Sequence, residues 1–172
     1  MLELYLGGAR SGKSRLAEQR AVDSCKQKIY LATATAGDGE MSARIRLHRE
    51  QRHEQQWLTI EEPVSLAATL LANDSAEHCI LVDCLTLWLT NLLLSEDAEC
   101  FARERQALFD CLPILQSQVI FVSNEVGQGV VPVDALSRRF VDESGFLHQR
   151  LAEQVDRVVF TVAGLPQLLK GA

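Results

Sequence analysis

The sequence predicts an α/β fold: a mostly parallel central sheet with helices on both faces. Three observations carry that expectation. Short β-rich runs alternate with helical stretches along the chain, the order that lays parallel strands side by side under covering helices. Two of the runs, Ile80-Leu81-Val82 and Val119-Ile120-Phe121-Val122, are continuously apolar instead of alternating, as strands buried on both faces require. At the N-terminus a strand runs straight into a glycine-rich loop and then a helix.

That first strand covers positions 2–6, Leu2-Glu3-Leu4-Tyr5-Leu6, and its helix covers 13–25, with Leu16, Ala17 and Ala21 giving the helical spacing. Between them lies Gly7-Gly8-Ala9-Arg10-Ser11-Gly12-Lys13-Ser14, a complete match to G-x-x-x-x-G-K-[ST]. Further strands are expected near 28–32, 57–60, 79–83, 118–123 and 156–162. Helices are expected near 40–55, 64–73, 84–95, 97–112 and 133–153, with Pro63, Pro113 and Pro132 at their boundaries. No linker, repeat or shift of composition interrupts the series, so one domain is expected over 1–172.

Composition narrows the function classes. With 172 residues, 47% of them hydrophobic, the chain can bury a sizeable core. A formal net charge of −6 argues against a general nucleic-acid binder, because backbone affinity is built from Lys and Arg fields, so any phosphate site must be local. Five cysteines, Cys25, Cys79, Cys84, Cys100 and Cys111, contain no C-x-x-C pair and read as reduced cytosolic thiols. The start of the chain lacks a basic region followed by a long apolar stretch, and the apolar segment from Cys79 to Leu94 is broken by Asp83. The expectation is a cytoplasmic protein without membrane insertion.

The chemistry follows from position. Gly7 and Gly12 let the backbone come close to a ligand, so that the loop N–H groups and the helix N-terminus face phosphate oxygens. Lys13 is placed to reach the β- and γ-phosphates, and the Ser14 hydroxyl a Mg2+ ion. Asp83 ends a buried strand, where a carboxylate is costly without a compensating cation; it reads either as the acid opposite Ser14 on the metal or as an N-cap for the helix that follows. In a helix, Arg44, His48 and Arg52 share one face, and the flanking arginines would hold His48 neutral and nucleophilic. A solvated surface helix has the same spacing, and His53 competes for the role. Glu61 and Glu62 follow a strand and are read as ribose or base contacts or as solvated groups. Asn124 and Glu125, ahead of Val126-Gly127-Gln128-Gly129, suit substrate recognition or the capping of a turn.

Five segments together, G-G-A-R-S-G-K-S at 7–14, Y-L-A-T-A at 30–34, M-S-A-R-I-R-L-H-R at 41–49, V-D-C-L-T-L-W-L-T-N at 82–91 and S-N-E-V-G-Q-G-V-V-P at 123–132, resemble the bifunctional adenosylcobinamide kinase and adenosylcobinamide-phosphate guanylyltransferase family. The resemblance implies a P-loop NTPase fold of RecA-like type and two reactions of cobalamin biosynthesis. A nucleoside triphosphate, ATP or GTP, phosphorylates adenosylcobinamide, and GTP then yields GMP to adenosylcobinamide phosphate through a covalent histidine adduct. By the same matching the nucleophile falls on His48, with Lys13 as the second catalytic group. The matching also implies nucleotide contacts at Gly7, Gly8, Ala9, Arg10, Ser11, Gly12, Lys13, Ser14, Ala32, Thr33, Ala34, Arg49, Glu50, Gln51, Arg52, Glu61 and Asp83. Mg2+ on Ser14 and Asp83, and a homotrimer, complete what it implies.

Overall fold

The structure is a computed structural model that describes residues 1–34 and 57–171. A single seven-stranded sheet runs through these residues in the order β3-β2-β4-β5-β1-β6-β7. Its strands are β1 (Leu2–Gly7), β2 (Gln27–Ala32), β3 (Leu58–Glu61), β4 (His78–Asp83), β5 (Gln118–Asn124), β6 (Arg157–Val162) and β7 (Leu165–Lys170). The helices are α1 (Lys13–Asp23), α2 (Leu66–Ala72), α3 (Leu85–Leu93), α4 (Cys100–Cys111) and α5 (Ala135–Gln154). All neighbouring strands pair in parallel except β6 and β7.

Alternation within the strands splits the core into two layers. Leu2, Leu4 and Leu6 of β1 join Val119 and Phe121 of β5, and pack against Leu66 and Leu70 of α2, Leu85, Trp88 and Leu92 of α3, Leu108 of α4, and Leu147 and Leu151 of α5. Tyr5, Leu81, Ile120 and Val122 face the other way, where Ala17 and Ala21 let α1 lie close to the sheet. Helices thus cover both faces, as the alternation of elements predicts. The Trp88 indole N–H donates to the Val64 carbonyl at 2.7 Å, so the largest core side chain is also polar-satisfied.

Six predicted strands and five predicted helices are present, most with ends moved by one to three residues. The stretch 97–112 begins later, at Cys100, and passes at Pro113 into a single 3-10 turn, Leu112–Ile114. The seventh strand, β7, is missing from the sequence reading and is the one antiparallel member. It returns through Ala163 and Gly164, which have φ of 53° and 79°, the positive pair of a two-residue hairpin turn. The predicted helix 40–55 lies outside the described residues, and with it His48, Arg49, Glu50, Gln51 and Arg52.

A buried charge cluster closes the opposite edge of the sheet from the glycine loop. Glu3 is fully buried and accepts from Arg20 Nε at 2.9 and 3.1 Å and from Gln118 Nε2 at 2.9 Å. Arg157 lies 4.0 Å away. Pairing and hydrogen bonding together offset the desolvation of the carboxylate.

Candidate nucleotide site

The carboxyl ends of β1, β4 and β5 meet at one edge, where open α/β sheets place their ligands. β5 lies between the other two: Gly7 is in register with Asn124, and Asp83 with Val122. The glycine loop and Asp83 are therefore one strand apart, a gap in which a ligand can touch both.

The loop itself is held by tight contacts. An added Cβ at Gly7 would sit 2.6 Å from both the Ser11 hydroxyl and the Thr161 carbonyl oxygen, so only glycine fits. Gly12 precedes α1 with φ 95°, and Arg10 also takes a left-handed conformation at φ 57°. The β6–β7 turn braces the loop from outside, with the Gly164 N–H donating to the Ser11 carbonyl at 2.7 Å. Gly8, Ala9 and Arg10 remain exposed, and Ser14 follows Lys13 on the first turn of α1. The free N–H groups of that turn give the edge a positive end.

Lys13 is buried, and its ammonium donates to the Gly8 carbonyl at 3.2 Å. Burial pulls its pKa below the ordinary lysine range, and the nearby Asp83 works in the opposite direction. Asp83 accepts from the Tyr30 hydroxyl at 2.9 Å. The N-cap alternative for Asp83 does not hold, because α3 starts after Cys84 and carries no side-chain cap. With Ser14 and Asp83 flanking the loop, the oxygen donors present suit a hard divalent cation.

Ala32, Thr33 and Ala34 leave the end of β2 next to Asp83. Thr33 is fully buried: its hydroxyl donates to the Cys84 carbonyl at 2.7 Å and accepts from the Cys84 N–H at 2.9 Å. It latches the end of β4 to the end of β2. Glu62 accepts from the Val64 and Ser65 N–H groups at 2.9 and 2.7 Å and so caps the entry to α2, whereas Glu61 is exposed at the end of the edge strand β3.

At the end of β5, Glu125 does cap its own turn, accepting from the Gly127 N–H at 2.6 Å, while its N–H donates to the Gly7 carbonyl at 3.0 Å. Behind it lies a polar group that the sequence reading passed over. His148 of α5 is buried, with Nε2 2.7 Å from the Ser123 hydroxyl and Nδ1 3.8 Å from Glu125 Oε2. Its signal was the stripe Ser144, Leu147, His148 and Leu151, which puts the ring on the buried face of its helix. All five cysteines are unpaired, four of them buried.

Comparison with known proteins adds sequence and fold relatives. The family model described as cobinamide kinase / cobinamide phosphate guanyltransferase matches residues 3–169. The bifunctional adenosylcobalamin biosynthesis protein CobP of Pseudomonas aeruginosa is 59% identical over 171 residues, spanning 99% of this chain and 98% of that protein. The bifunctional adenosylcobalamin biosynthesis protein CobU of Salmonella typhimurium is 37% identical over 183 residues, spanning 99% and 100% respectively. Among solved structures, the RadB recombinase superposes with a TM-score of 0.52 at 14% identity, over 92% of this chain and 73% of that one, a likeness of fold alone to a P-loop NTPase.

Proposed function

The chain belongs to the cobinamide kinase / cobinamide phosphate guanyltransferase family, and from that premise we propose how its residues divide the work of the two activities. It is a bifunctional enzyme of cobalamin biosynthesis, phosphorylating cobinamide and then transferring a guanylyl group to cobinamide phosphate. The observation that supports one triphosphate site serving both activities is the buried Lys13, held on the Gly8 carbonyl in the field of Asp83, at the edge where the loop opens.

For phosphoryl transfer, the N–H groups of Gly7 to Ser14 hold the phosphates of ATP or GTP, and Lys13 draws off charge developing on the transferred group. Ser14 and Asp83 are the residues that would hold Mg2+. Such an ion neutralises the phosphate oxygens when bound. Tyr30 fixes one oxygen of the Asp83 carboxylate, and the Thr33 latch fixes the peptide that follows it. Ala32, Ala34 and Glu61 border the space for the nucleoside, and the buried Thr33 supports them through its bonds to Cys84.

For guanylyl transfer, His48 is the nucleophile. Its imidazole forms a bond to the α-phosphorus of GTP as the bond to the departing pyrophosphate breaks, and the GMP then passes to the phosphate of adenosylcobinamide phosphate. Arg49 to Arg52 steady the nucleotide. We further read the protein as cytoplasmic, working over 1–172 as one unit and as a homotrimer. No described helix is long and apolar enough to cross a membrane.

Intact mass spectrometry after incubation with GTP and Mg2+ tests this reading. The wild-type protein gains the mass of GMP, and adenosylcobinamide phosphate discharges it. His48→Ala removes the adduct yet keeps most phosphorylation of adenosylcobinamide, and Lys13→Ala impairs both reactions. Equal loss of both activities in folded His48→Ala would defeat the division of labour.

A further inference from the structure

Among the described residues, Asp83, Glu61, Glu62 and Glu125 stand at the carboxyl edge of the sheet. Asp83 is bound by Tyr30 and lies in the field of Lys13. Glu62 caps α2. Glu61 ends β3, with β2, β4 and β5 between it and β1. Glu125 caps its own turn through Oε1, has Oε2 3.8 Å from His148 Nδ1, and its own N–H is bonded to the carbonyl of Gly7, the first residue of the phosphate loop.

Thr86, Ser123 and His148 stand behind Glu125. Thr86 Oγ1 accepts from the Asn124 N–H at 2.8 Å and lies 3.4 Å from the Ser123 hydroxyl, a contact in which either oxygen can donate. Ser123 in turn can donate to His148 Nε2 at 2.7 Å. With Nε2 accepting, a neutral ring carries its proton on Nδ1, and that atom has no hydrogen-bond partner. It points at Glu125 Oε2 from 3.8 Å, an electrostatic contact that a small side-chain shift would tighten to a hydrogen bond. The opposite order would leave a bare nitrogen lone pair facing a carboxylate. A buried polar atom with no partner costs stability, and here its cost is met beside the ligand edge, where such groups serve function.

We propose that Glu125 is the proton acceptor for the alcohol in the phosphoryl-transfer step, and that His148 is a positioning residue that aims the Glu125 carboxylate. This rests on the kinase reading above. As the substrate oxygen forms its bond to the γ-phosphorus, the O–H proton passes to Glu125. The bond from the γ-phosphorus to the β,γ-bridging oxygen breaks, and its electron pair leaves with the nucleoside diphosphate. Burial holds the His148 ring below the usual imidazole range, with Glu125 opposing, and among the described residues Glu125 is the charged group acting on it.

The test measures phosphorylation of adenosylcobinamide by ATP or GTP across pH, with GMP-adduct formation followed separately on the same preparations. Glu125→Gln keeps the acceptor for the Gly127 N–H, so folding is retained. It lowers kcat for phosphorylation by about 100-fold or more, with little change in nucleotide KM. Adduct formation falls far less. His148→Asn, which can present an N–H where Nδ1 stood, keeps more activity than His148→Gln, whose amide lies toward Ser123. Phosphorylation by Glu125→Gln within about threefold of wild type overturns the proposal, since general-base catalysis contributes about 100-fold or more. So does an equal kcat for the two His148 variants. Absence of phosphorylation by the wild-type chain would instead defeat the kinase reading.

Discussion

Replacing Thr33 by valine removes one oxygen and strands the Cys84 N–H, while the Cys84 carbonyl keeps the Trp88 N–H at 3.2 Å. The hydroxyl donates to the Cys84 carbonyl at 2.7 Å and accepts from the Cys84 N–H at 2.9 Å, both inside the core. Valine fills the same volume but bonds neither. A buried donor left unmade costs about 1–3 kcal/mol and the lost bond to the carbonyl about 0.5–1.5 kcal/mol more, about 1.5–4.5 kcal/mol together. Serine keeps both bonds and loses a methyl group, for about 0.5–1.5 kcal/mol. Urea unfolding followed through Trp57 and Trp88 fluorescence gives both numbers from the midpoint at constant slope. The order expected is wild type, Thr33→Ser, Thr33→Val. Nucleotide affinity should follow the same order, because the latch sets the end of the strand that carries Asp83. If Thr33→Val proves as stable as Thr33→Ser, the two bonds do not hold the strand ends together and the reasoning fails.

Two further outcomes follow from the loop and from the charge cluster. Gly7→Ala forces a methyl to 2.6 Å from the Thr161 carbonyl, an overpacking of about 1–3 kcal/mol that should also weaken a fluorescent nucleotide analogue at least ~10-fold. The methyl of Gly8→Ala meets nothing within 4 Å, so the melting temperature should hold there while it falls for Gly7→Ala. Burial, with Glu3 adding to it, pushes the Tyr5 phenol up to about 12. Because the folded state keeps its proton longer than the unfolded chain does, this contribution to stability is complete below pH 10 and drains away as pH rises toward 12. Alkaline unfolding of Tyr5→Phe should show a shallower decline over that window, and an unchanged slope would discount the phenol.

The strands buried on both faces were plain from sequence because burial leaves a continuous apolar run, as at Ile80 to Val82, and the phosphate loop because its geometry admits few residues. β7 was not, for a physical reason. All six of its residues are exposed, Pro166 removes a donor, and no alternation marks an edge strand with so little to bury. Only the Ala163-Gly164 pair hinted at a reversal. His148 was hidden differently. Sequence shows the neighbours of a histidine along its helix, but its partners here, Ser123 and Glu125, come from a strand end 23 or more residues away. The role of Thr33 was blurred likewise: the short stretch after β2 looked like a ligand contact, and its buried hydroxyl turns out to serve the backbone of β4.

The contact of Gly164 with Ser11 has a consequence for how the enzyme comes into being. β1 is made before β5 and β6, between which it lies, and the loop that follows it is braced by a turn made after both. On the ribosome β1 must therefore wait, without its lateral neighbours, until those distant strands have been made. Nucleotide capture becomes a property of the finished polypeptide, and a product truncated before the terminal hairpin would carry the entire glycine motif without the brace that holds it.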